Sequence, residues 1–374
     1  MPHNIVLIKK CLTVFLIIIT IITTTACHQP KHSMQNNTAS EKLPDTVLRL
    51  QLLTNQIFSP VDLQNVPDSS GRLFVCQLQG KIWIIKNGKV LPQPFLDISN
   101  KMIKRRAKGF DERGLYAMAF HPQFAGNKKF YVCYNAPAAK PGDNCKLVVS
   151  EFRASQNNPD IADPASERKI WETESRFLPQ DGCQIAFGPD GYLYIGVGNI
   201  DTAKHYDDAQ HLNSWLGKIL RIDVNTYPYS IPAGNPFAGN KKVKQEIWAY
   251  GLRRPWHFSF DQITHNLFVG EVGEEKREEV DIIKKGGNYG WPVKEGNLLH
   301  DSSLNMDTTY LLPPVNMYDH KTGLAIIGGY VYHGKAIPVL DGKYIFGDFT
   351  GSLFDLTQQA NDKWIQQSLL VSGR

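Results

Sequence analysis

Two adjacent arginines, Arg253 and Arg254, are the residues whose types and spacing most clearly suggest chemistry. They stand directly before Pro255 and Trp256. A guanidinium group can form two parallel hydrogen bonds with a carboxylate or a phosphate, so paired arginines suit the recognition of an anion. The alternative is a structural salt bridge, and the sequence leaves both interpretations open.

A second chemical feature is the acidic run from Glu271 to Glu279, which contains five glutamates. Calcium prefers hard oxygen ligands, including carboxylates and the backbone carbonyls of irregular loops. The run is therefore a candidate calcium site. It could equally be a solvated acidic loop, and this alternative also stays open.

The elements that must position these residues are predicted to be β-strands. One phrase recurs along the chain, a turn residue followed by alternating apolar and aromatic residues, and it predicts a strand at each copy. The copies span residues 71–75, 129–132, 191–195, 266–269 and 342–346. Long helical periodicity is absent, and a long repeat of short strands favours one all-β propeller domain, since neighbouring blades bury each other's faces.

The N-terminus is predicted to direct export. Lys9 and Lys10 precede an apolar run over residues 11–22, which is too short to span a bilayer comfortably. Small residues then lead to Cys27, as in a bacterial lipobox with Cys27 lipidated; an ordinary signal peptide with a chance cysteine is the alternative. We assign 1–26 to the signal peptide, 27–44 to a flexible tether and 45–374 to the propeller.

Composition narrows the possible partners and compartments. The net charge of +5 is spread along the chain, and the short basic run at 101–108 predicts a solvated loop, with no nucleic-acid motif beside it. No cysteine spacing predicts zinc. Cys133 and Cys145 lie on two predicted strands joined by a turn-rich segment, so they could form a cross-hairpin disulfide or remain free thiols.

Several longer phrases resemble the quinone-dependent aldose and sorbosone dehydrogenases, enzymes that use pyrroloquinoline quinone (PQQ). The resemblance covers residues from about 45 to the C-terminus. A single phrase could be a turn and strand of any propeller, whereas several phrases in the family's order are specific for the family. The phrases lie at residues 112–124, 180–196, 209–223, 246–256, 271–292 and 328–349.

The resemblance implies a six-bladed β-propeller with PQQ near its axis and a calcium ion. Arg253 matches the arginine over the quinone carbonyl, and Arg254 matches a neighbouring cofactor contact. Gly273 and Glu274 match positions whose backbone carbonyls hold the calcium. The other implied cofactor positions are Glu112, Gln210 and, with a looser match, His320.

Two departures from the family pattern affect the expected chemistry. Gln180 stands where the family has the histidine that accepts the sugar hydroxyl proton, and a neutral amide cannot accept a proton near pH 7. Asp181 is adjacent, but on a strand it would point to the opposite face. The chain also ends at Arg374, where family members usually continue with a hairpin that closes the ring, so the final closing strands are expected to be missing.

These observations predict an exported, lipid-anchored, periplasmic or cell-envelope quinoprotein that oxidises the C1 hydroxyl of an aldose. PQQ would accept the hydride, and the electron acceptor beyond it is unknown. The Gln180 position supports an alternative, a catalytically silent propeller that binds a sugar, a quinone or a protein partner. The membrane contact is expected only through the N-terminal lipid.

Overall fold

The computed structural model describes residues 17–20, 47–105, 111–138, 145–175, 183–199 and 206–372. Two strands come first, β1 (Ile17–Thr20) and β2 (Val47–Leu52). Regular helix in this part of the chain is limited to α1 (Phe124–Asn127) and two short 3-10 turns, Asp208–Gln210 and Pro338–Leu340. None of the described helices is long and apolar enough to cross a membrane.

Five antiparallel sheets, here called blades 1 to 5, follow in chain order. Blade 1 contains β3 (Pro60–Asn65), β4 (Leu73–Gln77), β5 (Lys81–Lys86), β6 (Lys89–Val90) and β7 (Leu96–Asp97). Blade 2 contains β8 (Leu115–Phe120), β9 (Lys129–Pro137), β10 (Cys145–Ala154) and β11 (Ala162–Ser175). Blade 3 contains β12 (Ile185–Phe187), β13 (Leu193–Val197), β14 (Lys218–Ile222) and β15 (Ile247–Tyr250).

Blade 4 has an additional hairpin before its last strand. Its strands are β16 (Pro255–Phe260), β17 (Leu267–Glu271), β18 (Glu278–Ile283) and, after the hairpin of β19 (Lys294–Glu295) and β20 (Leu298–Leu299), β21 (Asn316–Tyr318). Blade 5 contains β22 (Ile326–Val331), β23 (Tyr344–Asp348), β24 (Leu353–Gln358) and β25 (Trp364–Ser368). The last described strand is β26 (Leu370–Ser372).

The recurring phrase of the sequence corresponds to one structural position. Each of its five copies overlaps the second strand of a blade: β4, β9, β13, β17 and β23. The preceding turn needs unusual backbone angles in some copies, as at Gly191, where φ is +79° and a side chain would be strained. The period of the sequence therefore reports the order of the blades, which confirms the all-β propeller.

The hydrophobic core fills the spaces between successive blades. Phe74 of blade 1 packs with Phe120 and Phe130 of blade 2 in one cluster of buried residues, and Phe268 of blade 4 packs with Tyr344 of blade 5 in another. Comparable clusters join blades 2 and 3 and blades 3 and 4. Each blade thus contributes to two apolar layers, which is why the blades depend on one another.

The innermost strands enclose a central axis. Tyr116 of β8 and Trp256 of β16 meet edge to face, with ring centroids 6.3 Å apart. Five blades are described, and the predicted count of six is not confirmed.

The two ends of the described chain meet in a small sheet. β2 pairs in parallel with β26 and antiparallel with β1. Leu48 of β2 is buried with Leu340 and Leu369, beside blade 5, while Ile57 packs on Val75 and Ile85 of blade 1. This segment therefore lies between blades 5 and 1, where the sequence predicted that closing strands would be missing.

The disulfide differs from the one considered from sequence. Cys133 is bonded to Cys183, and the buried Cys145 is not part of this disulfide. The pairing of β9 with β10 places Cys145 opposite Pro137 and Cys133 opposite Val149, four residues apart along the ladder. That separation is about 13 Å, too long for a disulfide. The cross-hairpin bond between Cys133 and Cys145 is therefore wrong, and the real bond joins blade 2 to the start of blade 3.

Removing this bond should destabilise the protein. Replacing Cys183→Ala opens a loop between residues 50 positions apart in the sequence, and we expect the free energy of unfolding to fall by about 2–4 kcal/mol. Urea denaturation of the oxidised protein would measure the change.

Cys145→Ala is the matched control, since it also removes a buried sulfur but breaks no disulfide. Equal losses for the two variants, or a non-reduced peptide map without the Cys133–Cys183 link, would contradict the assignment.

Candidate functional site

The predicted site residues gather at one end of the propeller. Because blade strands alternate in direction, the connection into each blade and the loop between its second and third strands lie at the same end. The segments 111–114, 251–254 and 272–277 meet this description, and we call their end of the propeller the connection face. Arg254 donates a 2.6 Å hydrogen bond to Glu112 on this face, across 142 residues of sequence.

Arg253 directly precedes Arg254 in the same loop, and its side chain is buried. Its backbone N–H and that of Arg254 both donate to the carboxylate of Glu271, the latter at 2.8 Å. Its guanidinium donates to the carbonyl oxygens of Val272, at 3.1 Å, and of Gly273. The same group lies 5.3 Å from the ring centroid of Trp291.

The predicted calcium positions have contacts of their own. The Gly273 carbonyl accepts the hydrogen bond from Arg253, as just described. The backbone N–H of Glu274 donates to Glu295 at 2.9 Å, and its carboxylate lies 2.9 Å from His300 Nε2. Both residues therefore lie at the connection face, whereas their role as calcium ligands stays a prediction.

Gln210 and His320 connect neighbouring segments. Gln210 donates to the Trp291 carbonyl at 2.6 Å and exchanges hydrogen bonds with the side chain of Asn288, which fastens the 288–291 segment to the turn that carries Gln210. His320 Nε2 lies 3.0 Å from Glu278, a carboxylate that also accepts the Ile326 N–H. Two further predicted residues, Gln180 and Cys27, lie outside the described part of the chain.

Four buried carboxylates surround a small cavity below the arginines. They belong to Glu271, Glu279, Asp281 and Glu295, and the cavity is also lined by Arg253 and Trp291. It has room for about one water molecule or ion. The sequence analysis included Glu271 and Glu279 in the acidic run and missed Asp281 and Glu295. For Asp281 a signal was available, because Glu279 and Asp281 are charged residues at alternate positions of the largely buried strand β18.

Several carboxylate oxygens in this group have no hydrogen-bond partner in the described structure. They are both oxygens of Asp281 and one each of Glu271 and Glu295. Leaving a buried charge without a partner is costly, so such groups bind a proton or a cation. The carboxylate oxygens of the four side chains do not converge on one point. Among the described residues, no three acidic, histidine or cysteine side chains are arranged to hold a metal as they stand.

Burial and mutual repulsion control the protonation of this group. Burial, followed by the charge of Asp281, raises the pKa of Glu271 to about 8. Burial raises the pKa of Asp281 as well, and burial with the neighbouring carboxylates raises that of Glu279. Glu295 is the exception: burial opposes ionisation, but hydrogen bonds from the backbone N–H groups of residues 274–277 outweigh it and lower its pKa.

A second cluster at the connection face was not predicted. The hydroxyl of Tyr206 lies 2.5 Å from His300 Nε2, whose ring stacks on Trp291 at 4.9 Å and has Nδ1 3.7 Å from Glu295. No sequence motif marks either residue. Tyr206 comes from a loop of blade 3, and His300 comes from the additional hairpin region of blade 4. Both rings pack on Trp291, which lines the cavity.

The raised pKa values predict a pH-dependent stability in the presence of a chelator. In the unfolded chain these carboxyls ionise at about pH 4. In the folded state Glu271 ionises only at about pH 8. Between these two pH values, these carboxyls bind more protons in the folded state than in the unfolded chain. We therefore expect the contribution of these carboxyls to the free energy of unfolding to fall as pH rises through this range. Asp281→Asn removes one repelling charge, and we expect a gain of about 1–3 kcal/mol at pH 8 and little change at pH 5.

Urea denaturation at both pH values would measure this difference. Glu275→Gln is the control, because Glu275 is an exposed carboxylate in the adjacent loop. If the free energy of unfolding changed equally with pH in the wild type and in Asp281→Asn, the buried carboxylates would not be the cause of the pH dependence.

Comparison with known proteins identifies the class to which this propeller belongs. A family model described as glucose/sorbosone dehydrogenase matches residues 57–373. The chain belongs to the glucose/sorbosone dehydrogenase family.

Its relatives differ in what their names describe. It is 33% identical to the HIPL1 protein of Arabidopsis thaliana, over 87% of this chain and 55% of that protein. It is 30% identical to the Hedgehog-interacting protein of Mus musculus, over 89% of this chain and 47% of that protein. The chain thus spans about half the length of these relatives.

Solved structures show the same fold. The PQQ-bound aldose sugar dehydrogenase of Streptomyces coelicolor superimposes with a TM-score of 0.63 at 22% identity, covering 83% of this chain and 80% of that one. At this identity the likeness concerns the architecture. The propeller and its family are therefore established by independent comparisons.

Proposed function

We propose that this chain is an exported quinoprotein of the sugar dehydrogenase type, which binds PQQ and calcium at the connection face and oxidises the C1 hydroxyl of an aldose. The observation that carries the proposal is that Arg253 lines a cavity of buried carboxylates, while its neighbour Arg254 is fastened to one of them, Glu271, through its backbone N–H. An anionic cofactor and a cation would each find groups of the opposite charge there.

The charge of the described residues complements that of the proposed cofactor. PQQ has three carboxylates, and Arg254, held by Glu112 at the connection face, is placed to bind one of them. The cavity beneath has space for an ion and not for a three-ring quinone, so PQQ would lie outside it. The quinone would supply hydride acceptance from the sugar carbon; the task of Arg253 would be to stabilise negative charge.

The described residues also suit a cation. The oxygens of Glu271, Asp281 and Glu295 that accept no hydrogen bond are hard ligands of the kind that calcium prefers. Their side chains would have to move closer together to share one ion, and a bound cation would remove the cost of their repulsion. We therefore place the proposed calcium beside Gly273 and Glu274, with carboxylates from the cavity as additional ligands.

Proton removal is the weak point of the proposed reaction. Gln180 cannot accept the proton that the family histidine accepts, and loss of a general base typically slows a reaction by about 10²–10⁴-fold. This position and the similarity to Hedgehog-interacting proteins favour a second candidate, a propeller that binds a partner without turnover.

Export and anchoring through Cys27 belong to the same proposal. The bond between Cys133 and Cys183 supports an oxidising compartment, because disulfides persist in the periplasm and are rare in the cytosol. We also propose that β2 and β26 are strands of a sixth blade. Their position between blades 5 and 1 supports this count.

Binding of PQQ is the experiment that decides between the candidates. Calorimetry of the purified protein with PQQ and calcium should show binding that Arg254→Gln weakens about tenfold or more, since a charged hydrogen bond contributes about 1.5–3 kcal/mol. Arg277→Gln is the matched control, because Arg277 is a partly exposed arginine in the neighbouring loop.

A folded protein that does not bind PQQ would reject the enzyme proposal and leave a partner-binding propeller. Equal weakening by Arg254→Gln and Arg277→Gln would reject the proposed placement of the cofactor.

Restoring the base should restore turnover if the rest of the site is intact. We expect Gln180→His to raise dye-linked aldose oxidation by about 10²–10⁴-fold with PQQ and calcium supplied. Gln180→Asn, which adds no base, should leave the rate unchanged. A Gln180→His variant that binds PQQ but gains no activity would contradict a simple loss of the base.

A further inference from the structure

One edge of the sheet formed by β26, β2 and β1 is covered by a strand from the predicted export signal. β2 lies in the middle of this sheet, with β26 on one side and β1 on the other. The antiparallel register runs from Ile17 opposite Leu52 to Thr20 opposite Arg49. The edge of β2 that faces β1 is therefore able to form a regular antiparallel ladder.

Removal of the signal peptide would uncover this edge. β1 lies within residues 1–26, which carry the basic start, the apolar run and the small residues that precede Cys27. The mature chain would then have no β1, and the backbone groups of β2 from Arg49 to Leu52 would lose their partners. An open strand edge readily pairs with another strand.

Neither the described strands nor the sequence of the tether supplies an obvious replacement for β1. Residues 27–46 contain Pro30 and Pro44, are mostly polar and have no alternating apolar run. The other described strands already belong to sheets. Among the described strands none is left to cover this edge, so a second molecule is the source that we consider.

The surroundings of the edge have the character of an interface. Leu52 is 61% exposed, Leu370 of the paired strand β26 is 47% exposed, and Phe58 in the following connection is 73% exposed. Leu52 is on the strand with the open edge, whereas Leu370 is on the strand that pairs with its other edge. Exposed large apolar side chains of this kind are typical of surfaces that bind protein. Their exposure adds side-chain contacts to the backbone pairing.

We propose that β2 pairs antiparallel with β2 of a second copy of this chain, so that the mature protein is a two-fold dimer. A two-fold axis at Leu50 places Arg49 opposite Gln51 and Leu48 opposite Leu52. No like charges then face each other across the ladder. The proposal rests on removal of the export signal and is independent of PQQ binding or turnover.

Sedimentation of the exported, detergent-solubilised protein tests this arrangement, together with the intact mass that defines its N-terminus. We expect a dimer at micromolar concentration. Leu52→Lys should weaken dimerisation about tenfold or more, because it places a charge in the interface. Ile263→Lys is the matched control, since Ile263 is 68% exposed in a turn of blade 4, and its variant should dimerise as the wild type does.

Cross-linking provides a second measurement that does not depend on affinity. Leu50→Cys should form an interchain disulfide under mild oxidation, because the two-fold axis brings the two copies of this residue together, whereas Ile263→Cys should not. A monomer over the whole concentration range would overturn the proposal. So would a mature protein that retains residues 17–20, or a dimer that Leu52→Lys leaves intact and Leu50→Cys does not link.

Discussion

The carboxylate of Glu271 is the contact on which the site depends. It accepts hydrogen bonds from the backbone N–H groups of both Arg253 and Arg254, and so fixes the loop that carries them at the start of blade 4. Because both bonds involve the backbone, they set the direction of the two side chains as well as the position of the loop. One guanidinium turns inward to the carbonyls of Val272 and Gly273, and the other turns outward to Glu112.

This arrangement has an electrostatic cost. Glu271 can hold the loop only from a buried position, where Asp281 and Glu279 are its neighbours, and the guanidinium of Arg253 offsets only part of their charge. A group of buried carboxylates with unpartnered oxygens does not improve the stability of a propeller, since apolar residues would fill the space at lower cost. Such unfavourable groups are typical of functional sites, which is a reason to connect this cavity with ligand binding.

The sequence predicted the fold more completely than the site, for a physical reason. The recurring phrase marks the second strand of each blade because alternation of apolar and polar residues is a local property. Glu112 and Arg254 could be named from family phrases, and the structure brings them together. Glu295, Tyr206 and His300 could not be assigned to the site, because their neighbours come from distant loops. Asp281 was missed although it stands two residues after Glu279 on the same strand. The disulfide pairing was left open for a similar reason, since the strand register that separates Cys133 from Cys145 is not visible in their spacing.

The two candidate functions make different demands on the same residues. A partner-binding propeller needs exposed groups at the connection face, yet Arg253 is 8% exposed and the carboxylates beneath it are buried. A quinoprotein needs such an inner layer, because charge that develops during hydride transfer is stabilised best by groups already shielded from water. The inner layer thus favours the quinoprotein candidate, while Gln180 bears only on proton removal. The proposed cofactor binding and the proposed turnover therefore depend on different residues, and each can be tested without the other.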